Sequence, residues 1–189
     1  DQLKSARLVA VNRDGGGGLV SVDAHPLVRA YFADRLRAEH AAGWREGHRR
    51  LYEHLRDITK EGNAPTLDRL QPLYQAVAHG CHAGLHKEAL AEVYRDRILR
   101  GTGNDGFYST SKLGAFATNL GAVADFFTAP WNRVARSLTV TDQAWLLHEA
   151  AFHLRALGRL TEALEPLRAS LKMRIREENW TPAAISANA

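Results

Sequence analysis

The spacing of apolar side chains changes character along the chain. Near the start, Ala6-Arg7-Leu8-Val9-Ala10-Val11 and Leu19-Val20-Ser21-Val22-Asp23 are short runs that favour extended backbone. They are separated by Asn12-Arg13-Asp14 and the four glycines 15 to 18, a pattern that predicts a β-hairpin with a loose turn. From His25 the apolar spacing becomes three and four. Pro26 suits the first turn of a helix, where an N–H would lack an intrahelical partner. Leu27, Val28, Tyr31, Phe32 and Leu36 predict its buried stripe. A second helix from Ala42 to about Lys60 carries Trp44, His48, Leu51, Tyr52, Leu55 and Ile58 at the same period. Gly62-Asn63-Ala64-Pro65 breaks the pattern and predicts a boundary between residues 1–62 and 63–189.

Beyond the break the pattern predicts helical hairpins. From about Thr66 to Arg100, one stripe contains Leu70, Leu73, Tyr74, Val77 and Cys81, and a second contains Ala89, Leu90, Val93, Tyr94 and Ile98. Residues 101–106 are glycine-rich loop. Ser109 or Thr110 is then a candidate N-cap for a helix bearing Leu113, Phe116, Leu120, Val123 and Phe127, which Pro130 interrupts before a short helix from Trp131 to Leu138. Thr141 is the expected cap of a helix with Trp145, Leu146, Ala150 and Leu154, and Thr161 that of its partner through Leu171 and Ile175. A further helical start at Asn179-Trp180-Thr181-Pro182 and the immediate strand after Asp1 imply a piece of a longer protein, because a lone starting helix buries no face of its own.

Two of these segments repeat one another. His82-Ala83-Gly84-Leu85-His86-Lys87-Glu88-Ala89-Leu90 and Ala156-Leu157-Gly158-Arg159-Leu160-Thr161-Glu162-Ala163-Leu164 each place Gly five residues before Ala, with an aliphatic side chain four residues after that Ala. Gly84 and Gly158 lie 74 residues apart, about two periods of a 34-residue helix–turn–helix repeat with a small insertion. Gly ends a helix where positive φ is needed, and a small Ala lets the next helix pack close. The two copies resemble tetratricopeptide (TPR) repeats, matching part of that family's pattern at Ala89/Val93 and Ala163/Leu167. The expected fold is therefore mainly α, a TPR-like solenoid of stacked helical hairpins preceded by a short β-hairpin and two helices.

Composition narrows the function classes. No apolar run is long enough to span a bilayer and no apolar leader is present at the N-terminal end, which together with a lone cysteine, Cys81, predicts a cytoplasmic protein without an internal disulfide. The net charge of +4 comes from arginines that mostly stand beside acids, as in Arg95-Asp96-Arg97, so solvated helix faces are expected rather than a nucleic-acid surface. The glycines 15–18 lack the Lys-Ser/Thr that completes a phosphate loop. His79, His82 and His86 fall roughly on one helical side, but Gly84 should end the helix before His86, Cys81 lies off that face, and no second ligand pair at zinc spacing follows. No metal site is expected. A nucleophile motif of the G-x-S-x-G kind is absent, so no enzymatic activity and no cofactor are expected of these residues. Trp44, Trp131, Trp145 and Trp180 sit at helical spacing from other apolar residues and are expected in cores.

The order of hairpin, Asp23-Ala24-His25-Pro26-Leu27-Val28-Arg29-Ala30-Tyr31-Phe32, the His48-Arg49-Arg50-Leu51-Tyr52 helix, Ala78-His79-Gly80-Cys81-His82-Ala83-Gly84, Phe126-Phe127 with Pro130-Trp131, and Leu154-Arg155-Ala156-Leu157-Gly158-Arg159-Leu160 resembles the junction of winged helix and TPR sensor in bacterial STAND signalling ATPases of the NB-ARC/NACHT type. The resemblance covers nearly the whole chain. It implies that the hairpin is the wing of a winged helix, that an upstream domain binds ATP or ADP, and that the repeats recognise an activating ligand. It also implies that His25 contacts the β-phosphate of ADP in the longer protein, although Ala24-His25-Pro26 departs from the Met-His-Asp of plant members. A protein or peptide ligand along the repeats is the expected partner, and Gln75, His79, Asn119, His148 and Arg155 are candidate contacts on the first helices. Two alternatives remain. A winged-helix DNA-binding regulator would use the basic side made by Arg45, Arg49, Arg50 and Arg56 together with Arg7 and Arg13, and a free-standing TPR adaptor would have no upstream domain.

Overall fold

Asp14 closes the glycine-rich turn itself. Its carboxylate accepts hydrogen bonds from the backbone N–H groups of Gly16 at 3.0 Å and Gly18 at 2.7 Å. The amides that a phosphate would need are thus turned onto the chain's own acid, and Gly17 supplies the positive φ of the turn. In this computed structural model, which describes residues 8–176, the turn joins β1 (Val9–Arg13) and β2 (Leu19–Ala24) in an antiparallel pair. The expected strand start at Ala6 and Arg7, and the expected helix after Asn179, lie outside the described residues. The chain divides into two compact units, residues 1–46 and 47–189.

In the first unit, α1 (Pro26–Glu39) follows the hairpin, with the side chain of His25 accepting from the Leu27 N–H at its N-cap. The helix forms where expected, but its stripe is not buried. Leu27 is 75% exposed and Tyr31 58%, and no residue of α1 is buried. A two-stranded hairpin and one helix supply no second apolar layer for the stripe to pack on.

α2 (Ala41–Ile58) contains the division between the units. Tyr52 is buried and Leu55 packs beside it in the main core, so that core extends to residues before the Gly62–Pro65 loop. Leu51 and Ile58 of the same expected stripe are exposed. α3 (Leu67–Ala83) is N-capped by Thr66, whose side chain accepts from the Arg69 N–H. The chain turns at Gly84 into α4, which begins as an α-helical turn, His86–Glu88, and runs on as a π-helix, Ala89–Ile98. The i→i−5 bonding of a π-helix widens the turn. That wider turn is what brings Ala89, Val93 and Ile98, spaced by four and five, onto one buried face.

α7 (Val140–Ala156) and α8 (Leu160–Arg176) form the second such hairpin. At Gly84 (φ 85°) the glycine N–H donates to Cys81 and the Leu85 N–H to Gly80, and at Gly158 (φ 76°) the glycine donates to Arg155 and Arg159 to Leu154. These are the paired bonds of a Schellman turn, made identically in both copies. Ala89 and Ala163 are buried behind them at 0% and 2% exposure. The cap of α7 is Thr139 rather than Thr141, its hydroxyl accepting from the Asp142 N–H, which places it in the role Thr66 plays for α3. Thr161 lies inside α8 rather than capping it.

The segment between the hairpins departs from expectation. Ser109 and Thr110 are not caps; they are buried within a single turn, α5 (Tyr108–Ser111). α6 (Phe116–Ala124) follows, and the expected helix from Trp131 is instead a β-pair, β3 (Phe127–Ala129) with β4 (Arg133–Val134). Pro130 and Trp131, the latter at φ 57°, form the turn between them. Among the described residues of the second unit, the regular structure is thus helical except for this small pair. Its main core joins Tyr52 with residues of α3, α4, α6 and α7, and a smaller cluster of Leu120, Ala151, Leu154 and Ala163 lies between α6, α7 and α8.

Candidate functional site

An apolar cleft of about 680 Å³ opens beside α7. Phe107, Thr110, Ser111 and Gly114 from α5 and its flanking turns line one side together with Phe116 at the start of α6, and His148, Glu149 and Phe152 line the other from α7. The first wall is set by backbone geometry. A Cβ at Gly106 would fall 2.2 Å from the Gly101 carbonyl oxygen, so only glycine permits the loop to close there. Closure delivers Phe107 in the left-handed region at φ 56°, a conformation costly for an aromatic residue. Four bonds hold it: the Phe107 N–H donates to Gly101, and its carbonyl accepts from the Thr110 and Ser111 N–H groups and from the Ser111 hydroxyl. Behind this wall, Asn119 Oδ1 accepts from Tyr74 Oη and Ser109 Oγ, while its Nδ2 donates to Thr110 Oγ1 at 2.8 Å.

The second wall contains the chemistry. α7 is buried nearly all round, and Glu149 is carried inward with Leu146, Ala150 and His153. Glu149 is 4% exposed and its Oε2 makes no hydrogen bond. His153, fully buried, has both ring nitrogens unpartnered. Glu149 Oε2 and His153 Nε2 stand 3.7 Å apart, beyond hydrogen-bond range. Burial pushes the Glu149 carboxyl up to about 7, against the opposing pull of Arg95 and Arg174. Burial also pushes His153 down to about 4. The pair is therefore a part-protonated acid beside a neutral imidazole rather than a salt bridge. His148 is likewise pushed down to about 4, by burial and then by Arg174 and Arg155. A strongly shifted carboxyl at the edge of an apolar cleft is a physical mark of a binding site.

A second cluster lies elsewhere in the unit. His48 Nδ1 of α2 and His79 Nδ1 of α3 are 2.8 Å apart, and the His48 and His82 ring centroids are separated by 4.8 Å. Burial, then the neighbouring His82 and His79, pushes His48 down to about 4. Two ring nitrogens at that distance share one proton, so one accepts from the other. Among the described residues, no group of three or more His, Cys, Asp or Glu is arranged to hold a metal ion. His86 is separate from this cluster, its Nδ1 lying 3.1 Å from Ser137 Oγ. Cys81 is buried, and burial pushes its thiol well up.

The partner-contact candidates are scattered by these placements. Gln75 and Arg155 are exposed, His79 is half-buried against His48, and His148 lines the cleft. Asn119 is corrected in its placement: it is fully buried on α6 and its side chain is occupied by Tyr74, Ser109 and Thr110, so it braces the cleft wall instead of lying on the surface. His25 sits exposed at its cap. Trp145 is half-buried beneath the Arg95 guanidinium, 4.2 Å from its ring, and Trp131 packs on Phe127. Glu149 escaped the sequence reading. The available signal was an acid flanked by Leu146, Leu147, Ala150 and Ala151, in the apolar middle of its helix.

The chain matches no family model, and neither the curated proteins nor the solved structures give a match. Fold and site together define a mainly helical protein with repeated helical hairpins and an apolar cleft of small-molecule size. No helix among the described residues is long and apolar enough to cross a membrane.

Proposed function

We propose that this chain is a non-catalytic recognition region of a larger STAND-type signalling ATPase, its TPR-like hairpins taking up a protein or peptide partner. The observation that carries the reading is the pair of hairpins closed by the same Schellman turn at Gly84 and Gly158, with Ala89 and Ala163 packed behind. Repeated hairpins of this kind present long rigid surfaces suited to extended ligands. The hairpin before α1 and the exposed stripe of Leu27, Tyr31, Phe32 and Leu36 support a junction with an upstream nucleotide-binding domain, which would cover that stripe. The basic side of α2 lends little to a DNA-binding role, since Arg49 pairs with Glu53 and Arg56 with Asp57 and Glu92.

The test uses the protein with its native upstream sequence. Charge reversal at exposed Arg155 together with Gln75→Glu should abolish partner-triggered nucleotide exchange while leaving basal ADP retention intact. His25→Ala should speed ADP release without partner. Unchanged exchange in the first variant and unchanged release in the second would overturn the reading.

A further inference from the structure

We propose that the cleft beside α7 is a binding site for a small lipophilic amine, its ammonium group taken up at Glu149 and its apolar body held among Phe107, Phe116 and Phe152. This inference stands apart from the hairpins' role as a partner surface and needs no upstream domain.

Three observations converge on that ligand class. The first is size and lining: about 680 Å³, within the range of small-molecule sites, with aromatic rings on both walls. Phe116 from one wall and Phe152 from the other are in tilted ring contact, with centroids 6.1 Å apart. Aromatic faces attract cations, and Phe rings offer no competing hydrogen bond. The second is an unsatisfied acid. Glu149 lines the cleft at 4% exposure and its Oε2, which lies on the His153 side, makes no hydrogen bond, so a ligand donor meets that oxygen once the carboxylate turns toward the cleft. A buried polar atom left unpaired in a folded protein calls for an explanation, and a ligand donor supplies one. The third is charge. Among the described residues no Lys or Arg lines the cleft, and the histidine that does, His148, is held neutral by burial, so an anion would meet an acid and no described lining cation.

The groups around Glu149 are consistent with a cation. On its own helix stand His148 and His153, both held neutral. From α4, Arg95 acts on it at a distance, but its guanidinium is bound to Asp142 at 2.6 Å and laid over Trp145. Tyr94, also from α4, is a buried phenol that burial keeps protonated. From α8, Arg174 lowers the carboxyl's proton affinity without holding a hydrogen bond to Oε2. The α5 side adds the hydroxyls of Thr110 and Ser111. Because the carboxyl of the empty site is part-protonated near neutrality, taking up an ammonium ion expels that proton to the buffer.

The experiment is calorimetric titration of the full chain with 2-phenylethylamine, set against 2-phenylethanol and 3-phenylpropanoate as its neutral and anionic counterparts. The amine should bind saturably, with the alcohol about tenfold weaker and the carboxylate weaker still. Amine affinity should fall toward tenfold per unit as pH drops below about 7, and near neutrality its apparent heat should vary with the ionisation enthalpy of the buffer. Glu149→Gln, nearly isosteric, should bring amine and alcohol to equal affinity while the helical circular dichroism is unchanged. Phe152→Ala, at a residue already 40% exposed, should weaken both ligands without disturbing the core. Absence of saturable amine binding at millimolar concentration, binding of the carboxylate as tight as the amine, or an unaltered preference in Glu149→Gln would each overturn the proposal. None of these outcomes bears on nucleotide exchange, so this site and the hairpin surface fail or stand separately.

Discussion

Glu149 tests how much an unpaired buried acid costs the fold. Its folded value is raised from an ordinary 4.5 to about 7, so between those values the native state holds a proton that the unfolded chain has lost. Stability contributed by this group is present at low pH and is lost as pH rises through about 7. Glu149→Gln should therefore lie within about 1 kcal/mol of the parent near pH 5 and exceed it near pH 8 by up to about 3 kcal/mol, less whatever Arg95 and Arg174 lose with the charge. Urea unfolding at the two pH values measures this, and equal midpoints at both would show that the carboxyl is not held as described. The histidines run the other way. His48, His148 and His153 are depressed to about 4, so the unfolded chain binds protons first and stability is lost as pH falls from about 6.5 toward 4. Imidazole resonances of these three residues should keep neutral-form chemical shifts at pH 5. At this scale the sequence was a partial guide. It singled out His79, which lies in a histidine cluster, and His148, which lines the apolar cleft, and it placed Asn119 outside when that residue is the centre of a buried network. Nothing in the spacing of one amide separates those two fates, because its partners Tyr74, Ser109 and Thr110 come from other elements.

Elements were legible where the chain obeys local rules. The period of three and four found α3, α7 and α8, and Gly84 and Gly158 marked their turns before either φ was known, because few residues but glycine accept that conformation cheaply. The middle segment was not legible: strong apolar spacing continued through Phe127, yet Pro130 and the β-favouring residues around it turned the chain into a pair of strands. The glycines allow an ordered prediction. Gly84→Ala and Gly158→Ala meet no atom within 4 Å of the new Cβ, so each should cost only the strain of positive φ, about 1 kcal/mol. Gly80→Ala has ordinary helical backbone, but its Cβ would stand 2.9 Å from both Ala89 Cβ and Tyr52 Cδ2. Overpacking at the crossing of α2, α3 and α4 should cost about 1–3 kcal/mol. Chemical denaturation should thus rank Gly80→Ala at least as damaging as the two turn variants. The reverse order would mean that α3 and α4 can part at this point without cost.

At the scale of the molecule, burial is divided unevenly between the two units. α1 has the apolar stripe of a packed helix and no buried residue, whereas α3, the π-helix of α4 and α7 each hold five or more. The sequence could show which face of α1 was apolar but not whether anything covers it, since burial depends on a second layer and not on the stripe. Opening free energies follow burial: segments with few buried apolar contacts open locally, and the core opens only with global unfolding. The π-helix gives this expectation an edge. Its wide turns would make it the weakest helix in isolation, yet Ala89, Val93, Tyr94 and Ile98 are all at 0% exposure, and Arg97 ties it to Glu61 and to the Arg56 and Thr59 carbonyls. Packing should outweigh geometry here. Hydrogen–deuterium exchange on the full chain should then find α1 exchanging within seconds to minutes, and α3, the π-helix and α7 protected together at the global limit. Fast exchange confined to residues 89–98 would show instead that the π-bonded geometry sets local stability, and that the Arg97 contacts do not hold it closed.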